Sequence, residues 1–152
     1  MKLTTFSAVL VACSLSLAFV HGAIGKEKDD ADESENEVTI EKTALVRDTG
    51  NKFEPVESFT PKDTLGVLVF LSEPKAGTKV KGVWTAVDAG GLKDKKIFEK
   101  EVEFTAETLK EVKEKNRVDF TLSHDNPYPT GDYKLDLYLN GELAKTVEFE
   151  IK

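Results

Sequence analysis

Cysteine is almost missing from this chain. The only one among 152 residues is Cys13, inside an apolar leader that runs from Leu3 to Val20. Once the leader is cleaved no thiol remains, so no disulfide can form. Domains below roughly 70–80 residues usually need such staples, but the chain behind residue 25 is long enough to bury a core unaided. Histidine is nearly as scarce, with His21 in the leader region and only His124 behind it. A zinc site built on one histidine and no cysteine would need two or more carboxylates to converge. No Asn-x-Ser/Thr acceptor site occurs. A basic face is also absent: 28 Asp and Glu outweigh 21 Lys and Arg, which argues against nucleic acid and anionic lipid as partners.

The N-terminus is what a signal peptide requires. Lys2 precedes the apolar stretch, and small residues follow at Gly22, Ala23 and Gly25. Cleavage after Gly22 or Gly25 satisfies the small-residue rule, and Lys26 favours Gly25, giving a signal peptide over residues 1–25. A retained anchor is the alternative, weakened by Ser7, Ser14 and Ser16 and by the lack of basic residues to stop transfer. Leu10-Val11-Ala12-Cys13 also resembles a bacterial lipobox, in which Cys13 would carry the lipid. The apolar Ser14–Val20 would then head the mature chain, where a polar tether is expected. Residues 26–37 (KEKDDADESENE) hold seven acids and two lysines. They have too little apolar surface to offset the entropy of ordering and read as a disordered spacer. Calcium ligation by Asp29, Asp30 and Asp32 would need the fixed offsets, turn glycine and closing Glu of an EF-hand loop, which are missing. The missing disulfide and glycosylation signals favour a bacterial envelope protein, periplasmic or secreted.

From Val38 onward the apolar period is two. Val38, Ile40, Ala44 and Val46 share one parity, and Leu65 to Leu71 is apolar almost throughout, as a strand covered on both faces would be. Val80 to Val87 places Trp84 and Ala86 on one face. Lys93 to Glu103 mixes dense Lys and Glu with Phe98 and Val102, the pattern of a guarded sheet edge. Val118, Phe120 and Leu122 alternate, as do Tyr133, Leu135, Leu137 and Leu139. Leu143, Val147, Phe149 and Ile151 complete the set. Seven or eight short strands at this spacing predict an antiparallel sandwich or barrel over residues 38–152. One stretch departs from it: residues 106–115, with Thr108-x-x-Glu111 as a capping box and a Glu111–Lys115 pair, read as a short helix crossing between sheets, with a charged loop as the alternative.

Asn140-Gly141 has the composition of a two-residue type I′ turn. Such a turn would set odd residues against even, yet the apolar residues on both sides are odd. A one-residue slip would send an apolar set to the wrong face. The parity therefore predicts a three-residue loop, Leu139-Asn140-Gly141, with Gly141 left-handed in a bulge, Leu137 opposite Leu143 and Tyr133 opposite Val147.

The order of elements resembles an immunoglobulin-like or fibronectin-III-like β-sandwich of the disulfide-free bacterial envelope type. Trp84 stands in the expected third strand, and Gly131-Asp132-Tyr133 opens the penultimate strand as a tyrosine corner does. The immunoglobulin cysteine two residues beyond that tyrosine is replaced by Leu135. The resemblance covers residues 38–152, implies an all-β antiparallel sandwich and carries no function with it.

Catalytic patterns are missing. Ser123-His124-Asp125 places three triad residue types next to one another, whereas triad members meet through folding. Gly90-Gly91 has no following helix start to cradle phosphate. Calcium between loops through Asp88, Asp94 and Asp125 lacks ligand spacing. The expectation is an exported, non-enzymatic binding or assembly module with a protein partner and no cofactor or metal. Its contact candidates are Asp88, Gly91, Pro127 and Tyr128, and Trp84, Gly131, Tyr133 and Gly141 are structural. The strand at Thr130–Tyr138 could instead present backbone to an added strand if its neighbouring edge is open. The alternatives are an inhibitor or chaperone of another envelope protein and, remotely, a small secreted hydrolase.

Overall fold

A computed structural model describes residues 37–111 and 116–152. The leader, all of the acidic spacer except Glu37, and the Glu111–Lys115 pair lie outside the described residues.

Eight strands and one short helix follow one another as β1 (Ile40–Asp48), β2 (Phe53–Pro55), β3 (Thr64–Leu71), β4 (Lys79–Ala89), β5 (Leu92–Glu103), α1 (Thr108–Glu111), β6 (Arg117–Leu122), β7 (Gly131–Leu139) and β8 (Glu142–Ile151). They form two four-stranded sheets, β2-β1-β3-β6 and β5-β4-β7-β8. Every strand pairing within the sheets is antiparallel. The alternation read in the sequence is the reason: one parity of each inner strand is apolar and must leave water, and facing a second such sheet buries both sets.

On β3, Leu65, Val67, Val69 and Leu71 are fully buried, while Leu68 and Phe70 on the other face are half-buried. The strand is therefore central, but only one of its faces meets the core, contrary to the expectation of cover on both. β4 and β7 supply Val80, Trp84, Ala86, Tyr133, Leu135 and Leu137 from the opposite sheet. Gly82 sits among them because a Cβ there would meet the Phe120 ring at 2.8 Å. The missing side chain lets the β6 aromatic lie against the β4 backbone.

Phe149 on β8 joins the aromatic cluster. Its ring makes edge contacts with Trp84 (5.7 Å, 80°) and Phe59 (5.3 Å, 82°) and stacks on Tyr133 (5.7 Å, 15°). Such pairs add to burial by matching ring edges to ring faces. Phe59 lies outside the strands proper. Its backbone bridges Ile151 in parallel, with Phe59 N donating to Glu150 O and Lys152 N to Phe59 O, and so covers the last part of the β8 edge.

The final hairpin overturns the three-residue loop. Leu139 pairs with Glu142, so Asn140-Gly141 is a two-residue turn, and both of its residues have positive φ, 50° and 93°, as type I′ demands. Tyr138 then pairs with Leu143, but Leu137 pairs with Lys145. Ala144 is the extra residue of a β-bulge. Beyond it the pairs are Leu135 with Val147, Tyr133 with Phe149 and Gly131 with Ile151. The parity conflict was real, and the chain resolves it in the strand instead of in the turn. Leu143, caught on the turn side of the bulge, is 58% exposed.

The connection from β5 to β6 crosses between the sheets, with α1 as its helical part. Its cap lies three residues before the one expected. Thr108 N donates to Thr105 Oγ1 at 3.1 Å and Thr105 N donates to Thr108 Oγ1 at 2.8 Å. This is a reciprocal capping box in which a threonine takes the usual place of Glu.

Candidate binding site at one end of the sandwich

The segment 123–129 carries the chain from β6 in one sheet to β7 in the other, across one end of the sandwich. Its composition, two prolines around Tyr128, restricts the backbone, and its hydrogen bonds anchor it at consecutive residues. Tyr128 N donates to Pro61 O at 2.7 Å, tying the loop to the turn before β3. Pro129 O accepts from the Tyr133 hydroxyl at 2.7 Å, the bond that defines a tyrosine corner. Asn126 N donates to His124 Nδ1 at 3.0 Å, so the imidazole closes a local turn. Gly131 is extended at positive φ, 140°, and a Cβ there would collide with Asp88 O. Glycine allows the start of β7 to lie directly on β4.

Tyr128 is half-buried in this frame, its ring 6.0 Å from that of His124. Its hydroxyl is buried and has no hydrogen-bond partner among the described residues. Burial, with a smaller contribution from Tyr133, pushes its pKa up to about 12. The phenol therefore stays a neutral donor.

Against this loop lies a groove of about 380 Å³. Leu92 and Ile97 line it from β5, Leu122 from β6, and Pro127 and Tyr128 from the loop, while Tyr133 and Ala86 contribute from the core side. Ile97 is there because β5 bulges: Trp84 pairs with Phe98 but Thr85 pairs with Lys96, leaving Ile97 as the extra residue. Ile97 and Phe98 are 36% and 40% exposed on an otherwise charged edge strand.

Pro127 and Tyr128 thus come together in the groove, and the other two contact candidates do not line it. Asp88 is exposed on β4 and pairs with Lys93 at 3.5 Å. Gly91 is exposed at the β4–β5 hairpin tip. Trp84 is core, and Gly141 is at the far end of β7 in the Asn140-Gly141 turn. The Thr130–Tyr138 strand cannot receive an added strand, since β4 and β8 occupy both of its edges. Sequence reasoning missed Ile97, Leu122 and Lys95 as groove residues. The visible signal was Ile97-Phe98, two adjacent large apolar residues within a run of Lys and Glu. Among the described residues no three His, Cys, Asp or Glu side chains converge as a metal site would require, and no helix is long and apolar enough to cross a membrane.

The decisive comparison is structural. An immunoglobulin-like protein from Pseudomonas aeruginosa superposes with a TM-score of 0.53 at 14% identity, over 76% of this chain and 97% of that one. The fold is immunoglobulin-like. At that identity the likeness extends to the fold alone. No protein-family model and no curated protein sequence matches the chain. Within this immunoglobulin-like frame β4, β7 and β8 occupy the places of the C, F and G strands, with Trp84 on C and the tyrosine corner at the start of F. The groove lies at the loop end where the sixth strand hands over to the seventh, opposite the end that carries the Asn140-Gly141 turn.

Proposed function

We propose that the chain is an exported, non-enzymatic immunoglobulin-like module that binds a protein partner through the end of the sandwich bearing the 123–129 loop. The observation that carries this reading is the groove itself. An apolar concavity with exposed Ile97 at its side lies under a loop held at Tyr128 and Pro129. Preorganised aromatic contact surface of this kind lowers the ordering cost of association. Export follows from the leader over residues 1–25, and the acidic stretch 26–37 then serves as a soluble tether.

The test is a crosslinking pull-down from native envelope fractions, using residues 26–152 and 38–152 as baits. A saturable partner retained by both baits, with crosslinks mapping to residues 122–129 and β5, is the expected result. Absence of any saturable partner at native abundance would remove the binding-module reading.

A further inference from the structure

The groove has a sign as well as a shape. None of its eleven lining residues is acidic, while Lys95, Lys96 and His124 all belong to it. This is against the trend of a chain with net charge −7. Lys95 has no ion partner among the described residues. Lys96 bonds Glu99 at 2.9 Å, but that carboxylate is shared with Lys81 at 3.5 Å, so one negative charge faces two positive ones. The apolar part is equally specific, since Leu92, Ile97, Leu122 and the Tyr128 ring leave a space of about 380 Å³, enough for a single large side chain and not for a helix.

We propose that the groove receives one apolar side chain of an extended acidic segment of the partner, whose neighbouring Asp or Glu carboxylates engage Lys95 and Lys96. This rests on the binding-module reading and adds the chemistry of what is bound. The apolar side chain supplies burial, and the flanking carboxylates give orientation and discriminate against basic segments. Edge position explains how both reach the site. β5 has one neighbour, β4, so an extended segment can approach its free side without displacing a strand.

The probes are three capped tripeptides with a central phenylalanine flanked by two glutamates, two glutamines or two lysines. They are titrated into isotope-labelled protein at low ionic strength and followed by amide and side-chain resonances. The expected result is saturable shifts at Leu92, Ile97, Leu122 and Tyr128, with the glutamate peptide about two- to tenfold tighter than the glutamine one, as exposed ion pairs allow. The lysine peptide should be weakest, and raised salt should narrow the spread. The double substitution K95Q/K96Q should equalise the glutamate and glutamine peptides while shifts persist at the same residues. Ile97→Ser should weaken all three, and its own thermal melt shows that the variant is folded.

Equal affinity for the three peptides, or shifts confined to other faces, would overturn the proposal. Partner crosslinks that map away from residues 95–97 and 122–128 would also overturn this occupant, yet leave a binding module standing. Loss of any saturable partner is the separate result that removes the module.

Discussion

The Tyr133 hydroxyl donates to the carbonyl of Pro129, four residues upstream, at 2.7 Å. The same ring stacks on Phe149, so one side chain ties the candidate binding loop to the aromatic core. Tyr133→Phe keeps the stacking and removes the bond. It should cost about 1 kcal/mol, rising to about 3 if the Pro129 carbonyl is left buried and unpaired. Urea unfolding measures this, and an unchanged midpoint would show that the loop does not depend on the corner.

Ala144 offers a sharper test of register. Deleting it removes the extra residue of the bulge and with it the conflict: Lys145, Val147, Phe149 and Ile151 keep Leu137, Leu135, Tyr133 and Gly131 as partners, while the Asn140-Gly141 turn keeps its own pairing. The deletion variant should therefore fold, with Val147, Phe149 and Ile151 still inward. Ala144→Ser retains the bulge and should change stability by less than about 0.5 kcal/mol. Circular dichroism of the deletion variant checks this; loss of its folded β signal would show that the pairing of β8 depends on the bulge.

Trp84 fills the centre of the core, yet its indole Nε1 has no hydrogen-bond partner among the described residues. Trp84→Ala should cost roughly 3–5 kcal/mol through the cavity it leaves. Trp84→Phe should cost clearly less, since it gives up volume but also removes an unpaired donor worth about 1–3 kcal/mol when buried. Equal melting temperatures for Trp84→Ala and the parent would place the tryptophan outside the core.

Gly131→Ala introduces a Cβ that collides with the Asp88 carbonyl at a φ of 140°. The cost should be at least about 2 kcal/mol, from backbone strain and overpacking together. Gly91→Ala also has positive φ, but no atom lies within 4 Å of the added Cβ. It should pay the strain alone, about 1 kcal/mol. The difference between the two denaturation midpoints isolates the collision.

Burial raises Tyr128 from the ordinary 10.0 to about 12, and Tyr133 shifts in the same direction for the same reason. An acid whose pKa is higher in the folded state binds its proton more tightly there. Its contribution to stability is full below pH 10 and is lost as pH rises from 10 toward 12. Stability should therefore fall over that interval, and less steeply in Tyr128→Phe. A near-ultraviolet tyrosinate titration should find Tyr128 ionising near 12; ionisation near 10 would mean the hydroxyl is open to water.

The architecture was legible because it rests on local alternation. Trp84, Phe120, Tyr133 and Leu135 declare their inward faces by parity, and a period of two with apolar residues on one side has few stable solutions besides paired sheets. Gly131-Asp132-Tyr133 was legible for a related reason, since a tyrosine corner is a bond between near neighbours in the chain. The sequence alone thus determined an all-β sandwich, its strand inventory and its aromatic core.

Only the tertiary structure decided how the last hairpin met two demands that its own sequence sets against each other. Asn140-Gly141 calls for a two-residue turn and the apolar parity for an odd register, and a bulge at Ala144 satisfies both. No local signal marks Ala144, because the choice depends on what β7 and the opposite sheet require of Val147 and Phe149. The groove is of the same kind. Ile97, Leu122 and Tyr128 lie on three separate elements and meet only when β5 bulges and the 123–129 loop folds across the sandwich end. Local alternation determines which way a strand faces; the site arises from long-range packing, which no single stretch of chain encodes.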